Sequence, residues 1–194
     1  MSGPAPKGIL IFISGPAGVG KSTVCRRLAQ VLPAEFAVSA TTREGKPQDA
    51  LGKKYLFVDE PEFRRMLEAG SFLEYAYKFG NWYGTLKTPV EDGMAAGRII
   101  LLEIEVQGAI QVHTLFPTAF GVFILPPSDE DLLERLQKRG RDSEEEIQKR
   151  FTEAQQEIRT AKASGVYDLL VVNEANGVEK TVDIIRREIQ KFRG

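Results

Sequence analysis

Apolar positions in this chain follow two rhythms, short unbroken runs and a helical repeat, and the two alternate along most of its length. Ile9–Ile13 (ILIFI) is continuous and rich in β-branched residues, as expected of a strand buried on both faces. A glycine-rich turn follows. From Lys21 to Leu32 the apolar residues Val24, Leu28, Val31 and Leu32 recur on one helical face, and the helix should stop before Pro33. Phe36–Ala40 reads as a second strand, Tyr55–Val58 as a third, and Phe72–Phe79, aromatic and alternating, as a half-exposed fourth. Arg98–Ile104, Ala119–Leu125 and Leu169–Val172 complete the strands.

Helices are expected between them. One opens at Asp59-Glu60-Pro61, where a cap and an early proline coincide, and closes at Gly70. Others cover Thr88–Ala96, Val106–Leu115, Ser128–Lys138, Glu144–Ala163 and Gly177–Phe192. Buried strands alternating with helices predict an α/β fold, a parallel sheet with helices on both faces. The segment 41–84 breaks the rhythm: Thr41–Lys54 is a polar loop, and the remainder suggests a small, partly antiparallel insertion. A charged stretch around Arg135–Arg150 has the character of a mobile lid.

Composition narrows the classes. The 194 residues suit one domain of ordinary size, and 42% apolar with 27% charged residues allows a core under a polar surface. A formal net charge of −1 gives no global field for nucleic acid or an anionic membrane, so anions must be held by local clusters. The apolar run Ile9–Ile13 is too short for a membrane span or a signal-peptide core, and Met1–Lys7 reads as a loose tail. Cys25 is the single cysteine, which excludes an intrachain disulfide and suits a cytoplasmic protein.

The chemistry begins at Gly15-Pro16-Ala17-Gly18-Val19-Gly20-Lys21-Ser22, which fits G-x-x-x-x-G-K-[ST] between a buried strand and a helix. Glycines let backbone N–H groups converge on phosphate oxygens, and the following helix adds its dipole. Lys21 suits the β- and γ-phosphates, and the Ser22 hydroxyl suits Mg²⁺. The motif specifies a triphosphate site and leaves the acceptor open. Ser39-Ala40-Thr41-Thr42-Arg43-Glu44-Gly45-Lys46 offers cations and hydroxyls for a phosphate dianion, although by themselves these residues are equally compatible with a solvated loop.

The larger pattern resembles the guanylate kinase family. It comprises S-x-T-T-R at Ser39–Arg43, Gly52-x-x-Tyr55-x-Phe57, Phe72-Leu73-Glu74-Tyr75, Gly80-Asn81-Trp82-Tyr83-Gly84-Thr85, Leu102–Ala109, Leu125-Pro126-Pro127-Ser128, and Arg139-Gly140-x-Asp142-Ser143-Glu144-Glu145 leading to Lys149-Arg150-Phe151. The resemblance spans about residues 8–192. It implies a P-loop kinase core at about 8–40, 86–134 and 151–192, a GMP-binding subdomain at about 41–85 and a helical lid at about 135–150. It implies transfer of the ATP γ-phosphoryl group to GMP and dGMP, with Mg²⁺, in a monomer or homodimer that needs neither nucleic acid nor membrane.

Roles follow from the same resemblance. Gly15–Ser22 and Thr23, with Arg135, Arg139 and Asn173, would bind ATP. Ser39, Arg43, Lys46, Tyr55 and Tyr83 would hold the GMP phosphate. Glu74 and Thr85 would read guanine, with Glu105 nearby. Lys21, Arg43, Lys46, Arg139 and Arg150 would act on the transferring group, and Ser22 on the metal. Guanine presents N1–H and N2–H donors side by side, which one carboxylate accepts, whereas adenine has no donor at N1. The chain departs from the pattern at Lys46, where a second arginine is usual, at Glu103 and Glu105 in place of aspartates, at Ala17 and at Gln48-Asp49. A non-catalytic guanylate-kinase-like scaffold is one rival reading, and the intact Gly20-Lys21-Ser22 argues against it; a related kinase acting on another phosphorylated small molecule is the second. His113, the single histidine, is expected at the surface or an interface, Cys25 in the core, and Trp82 with Tyr75 and Tyr77 in the wall or core of the subdomain.

Overall fold

In the computed structural model, which describes residues 8–45, 54–78, 80–138 and 143–193, the strands form two sheets. The larger is wholly parallel, in the order β2-β7-β1-β8-β9. Its strands are β1 (Ile9–Ser14), β2 (Ala34–Phe36), β7 (Ile99–Glu103), β8 (Phe120–Leu125) and β9 (Leu169–Val172). The unbroken apolar run of β1 is explained by its central place. Ile11 and Ile13 face a core completed by Val24 and Leu28 of α1 (Lys21–Val31) and Ile185 and Ile189 of α7 (Val178–Arg193). Leu10 and Phe12 face the other way, toward Val90 of α3 (Lys87–Ala95) and Val112 of α4 (Val106–Leu115). Every one of these side chains is fully or almost fully buried, Cys25 with them.

The second sheet is mixed, in the order β4-β3-β6-β5, from β3 (Val38–Thr41), β4 (Lys54–Phe57), β5 (Phe72–Lys78) and β6 (Asn81–Leu86). The single strand expected at Phe36–Ala40 is in fact two. Up to Phe36 the chain pairs with β7; the Ala37 N–H still donates to Leu101 O at 3.0 Å; from Val38 onward it pairs with β4 and β6. An extended run announces its own conformation but not its partner, so the change of sheet left no trace in the apolar pattern. The β3–β4 pair is parallel, while β3–β6 and β5–β6 are antiparallel. Strand β6 had not been expected, because its residues Asn-Trp-Tyr-Gly-Thr break the alternation.

The caps expected at Asp59 and Ser128 are present. Asp59 accepts from Glu62 N–H at 2.8 Å ahead of α2 (Glu60–Glu68), and Ser128 accepts from Asp131 N–H ahead of α5 (Asp129–Gln137). Ser143 forms a reciprocal capping box with Glu146 at the head of α6 (Glu144–Ser164). Leu132 and Leu136 of α5 pack on Ala154 of α6, so the two helices flanking the charged stretch form a core of their own. Phe63 of α2 stacks on Phe72 and Trp82 and closes one face of the second sheet, with Tyr75 and Tyr77 around the indole.

Candidate active site

The carboxyl ends of β7, β1, β8 and β9 lie side by side in that order, and the loops leaving β7, β1 and β9 build one half of the site. After β1 the chain turns through Gly15–Gly20. Gly18 has φ +87° and Gly20, the N-cap of α1, has φ +91°, a region that side chains other than glycine's rarely enter. The loop is held from behind. Asn173, buried at the end of β9, donates through Nδ2 to Val19 O at 2.8 Å and accepts from the Thr181 hydroxyl at 3.0 Å. Arg135 of α5 donates to Asn173 O at 2.9 Å and reaches Val19 O at 3.5 Å. Both residues, expected from the resemblance on the nucleotide, thus brace the P-loop here.

Lys21 bends back over the loop. Its Nζ donates to Gly15 O at 3.1 Å and lies 3.4 Å from Glu105 Oε1. Ser22 Oγ donates to Glu103 Oε1 at 2.6 Å. A hydroxyl and a carboxylate oxygen together, beside a phosphate cradle, are the hard-oxygen donors that Mg²⁺ prefers. No group of three or more His, Cys, Asp or Glu is placed to hold a metal among the described residues.

The other half of the site is a row of side chains across the second sheet. Ser39 of β3 is in register with Tyr55 of β4 and with Thr85 of β6, and Thr85 is in register with Glu74 of β5. Tyr55, Ser39, Thr85 and Glu74 therefore lie on one transverse line. A register irregularity between Phe72 and Glu74 brings Glu74 into that line. Tyr83, two residues before Thr85, shares the face. Arg43 follows β3, its guanidinium lying 5.2 Å from the Tyr55 ring centroid and 5.6 Å from that of Phe57.

Glu74 is 7% exposed, and Oε1 accepts from both the N–H and the hydroxyl of Thr85, at 3.2 and 2.6 Å. Oε2 lies against Gly108 of α4, where a Cβ would overlap it. Burial, with a smaller push from Glu105, raises the Glu74 carboxyl to about 7 despite the Thr85 donors. Gln111 of α4 binds the backbone of Tyr75 twice, donating to its carbonyl at 3.1 Å and accepting from its N–H at 3.2 Å, and so fixes edge strand β5 against the helix.

The two halves meet at a cavity of about 280 Å³ lined by Ser39, Arg43, Tyr55, Glu74, Tyr83 and Glu105 on the acceptor side and by Lys21 on the donor side. A wider cleft of about 840 Å³ adjoins it between β5 and α6 and contains Arg150. Seven residues expected to serve the two substrates thus share one cavity. Thr85 acts on it through Glu74. Lys46 and Arg139 lie outside the described residues. Lys78 and Glu157 were not anticipated: Lys78 lines both cavities and pairs with Glu105 at 2.9 Å and Glu157 at 3.1 Å.

A family model described as guanylate kinase matches residues 7–192. The chain belongs to the guanylate kinase family. It is 43% identical over 187 residues to a guanylate kinase of Trichodesmium erythraeum, covering 96% of this chain and 98% of that one. A guanylate kinase of Dechloromonas aromatica is 46% identical over 168 residues, 86% of this chain and 82% of the relative. The fold is similar to the crystal structure of guanylate kinase from Anaplasma phagocytophilum, with a TM-score of 0.75 and 32% identity over 96% of this chain and 87% of that one. As a guanylate kinase family member it is a P-loop α/β enzyme, in agreement with the parallel sheet and the cradle at Gly15–Ser22. Among the described residues no helix is long and apolar enough to cross a membrane.

Proposed function

We propose that this chain transfers the γ-phosphoryl group of ATP to GMP, and to dGMP, releasing ADP and GDP or dGDP. The observation that carries this reading is the row Tyr55, Ser39, Thr85 and Glu74 opening onto a cavity whose opposite wall holds the P-loop lysine. Glu74 accepts the paired N1–H and N2–H donors of guanine, with Thr85 fixing its rotamer. Ser39, Arg43, Tyr55 and Tyr83, with Lys46, hold the acceptor phosphate. The loop amides and Lys21 hold the donor phosphates. Ser22 and Glu103 are the residues that would hold Mg²⁺ with the nucleotide, where the ion neutralises charge on the phosphate oxygens.

Arg150 lines the adjoining cleft, and with Arg135 and Arg139 it supplies cations that balance charge on the transferring group once the cleft closes in-line. Arg135 must then exchange its bonds to the Asn173 and Val19 carbonyls for bonds to nucleotide. A buried single thiol and nucleotide substrates suit a cytoplasmic enzyme. An ADP-release assay tests the reading. Turnover should require GMP or dGMP and be weak with AMP or UMP. No GMP-dependent turnover would sink it and favour the scaffold alternative.

A further inference from the structure

Lys78 is the third side chain that β5 turns toward the site, after Glu74 and Ala76, while Tyr75 and Tyr77 face away. A lysine on an otherwise inward-facing strand position requires compensation, and two carboxylates provide it. One is Glu105, the N-cap of α4. The other is Glu157, in the middle of α6. Only 24% of the Lys78 side chain, 29% of Glu105 and 15% of Glu157 is exposed. Glu105 is therefore shared between two ammonium groups, Lys78 at 2.9 Å and Lys21 at 3.4 Å. Two cations and two anions balance only while Lys21 stays with them.

Donor binding removes that balance. Lys21 must leave Glu105 to reach the β- and γ-phosphates, and Lys78 is then the remaining cation of the four. Without it, Glu105 and Glu157 would compete with the phosphates for Lys21. Burial already pushes the Glu157 carboxyl up, with the Glu105 charge adding to it. Lys78 also joins elements that carry separate parts of the site. Arg150 and Glu157 are seven residues apart on α6 and so share a face, and both line the cleft that Lys78 borders.

We propose that Lys78 is a positioning residue that neutralises Glu105 and Glu157, freeing Lys21 to bind the donor phosphates. The proposal rests on the kinase reading above. Its test is chosen to separate the two: GMP-dependent turnover of the parent examines the kinase reading, and binding of a non-hydrolysable ATP analogue with Mg²⁺, measured by calorimetry, examines Lys78 whether or not turnover occurs. Lys78→Met should weaken analogue binding and raise the KM for ATP by roughly tenfold or more, while the KM for GMP changes little. Lys78→Arg should retain most of the affinity. Adding Glu157→Gln to Lys78→Met removes one of the competing charges and should recover most of the loss.

A role in packing alone predicts otherwise, because Glu157→Gln cannot restore a lost packing contact. Should Lys78→Met melt below assay temperature, Lys78→Gln with and without Glu157→Gln provides the same comparison. Analogue binding and ATP KM equal to the parent's in the lysine variants, or a loss that Glu157→Gln leaves untouched, would overturn the proposal.

Discussion

The donor and acceptor halves of this site are built on opposite principles. The donor half is one contiguous turn, Gly15–Ser22, in which, on the proposed reading, backbone amides would face the ligand and only Lys21 and Ser22 would contribute side chains. Its shape depends on glycine at φ +87° and +91° and on Asn173 and Arg135 behind it. The acceptor half gathers side chains from four strands of a mixed sheet, Tyr55, Ser39, Thr85 and Glu74 in one row. A backbone site needs a conformation and tolerates many sequences that reach it. A side-chain site needs particular groups, each supported by another side chain. Substitutions should therefore act differently on the two halves.

The largest effect is expected on the donor side. Lys21→Met leaves the loop backbone in place but removes the cation proposed to meet the donor phosphates, and kcat/KM for ATP should fall by at least about a thousandfold. GMP binding, measured by titration in the absence of ATP, should be nearly unchanged. Equal loss in both would mean the halves are not separable. Next comes Glu74→Gln. The amide accepts the Thr85 bonds as the carboxylate does but presents a donor where guanine also donates. The ratio of kcat/KM for GMP over AMP should drop by roughly a hundredfold. Discrimination equal to the parent's would remove Glu74 from base reading.

Glu74 also tests the cost of a buried side-chain site. Its carboxyl sits at about 7 in the folded chain against an ordinary 4.5. The folded state thus keeps its proton over a pH range in which the unfolded chain has lost it. Stability from this group is greatest below 4.5, falls as pH rises from 4.5 to 7, and is level above. The full fall is on the order of 3 kcal/mol. Glutamine does not titrate, so urea unfolding should show the variant gaining on the parent by about that amount between pH 4.5 and 8. A parent–variant difference that stays constant with pH would mean Glu74 is solvated in the empty site. Guanine, by supplying two donors, should lower the Glu74 carboxyl again and make GMP binding weaken below pH 7.

The two halves also differ in how far the sequence disclosed them. The P-loop was legible from residues alone, because a turn that needs positive φ and a phosphate that needs a lysine leave a fixed spacing. Strand β1, helix α4 and the caps at Asp59 and Ser128 were legible for similar local reasons, whereas the Ser143 cap, in a stretch read only as a charged break, was not. The acceptor row was not: Ser39 and Thr85 are 46 positions apart, and only strand register makes them neighbours. The resemblance supplied those residues, but not the register irregularity that aligns Glu74 nor the break at Ala37 where the chain changes sheets. Lys78 and Glu157 escaped because a lysine in an aromatic strand and a glutamate in a charged helix look like ordinary surface residues until the fold pairs them.

The smallest expected effect bears on the supports behind the row. Phe57 does not line the cavity, yet its ring lies 5.6 Å from the Arg43 guanidinium, and together with Tyr55 it determines where that cation can rest. Phe57→Leu retains an apolar side chain on the exposed strand and removes only the π face. If Arg43 is held in part by the ring, the KM for GMP should rise a few-fold, in line with the roughly 0.5–1 kcal/mol of an exposed cation–π contact, while the KM for ATP stays constant. The cradle at Gly15–Ser22 has no comparable dependence on an aromatic neighbour. An unchanged GMP KM in Phe57→Leu would mean that the Phe57 ring does not help to position Arg43, whose contacts include a bond to Glu44 O at 2.8 Å and the Tyr55 ring. The acceptor half would then resemble the donor half more closely, with backbone groups fixing the charges and side-chain supports secondary.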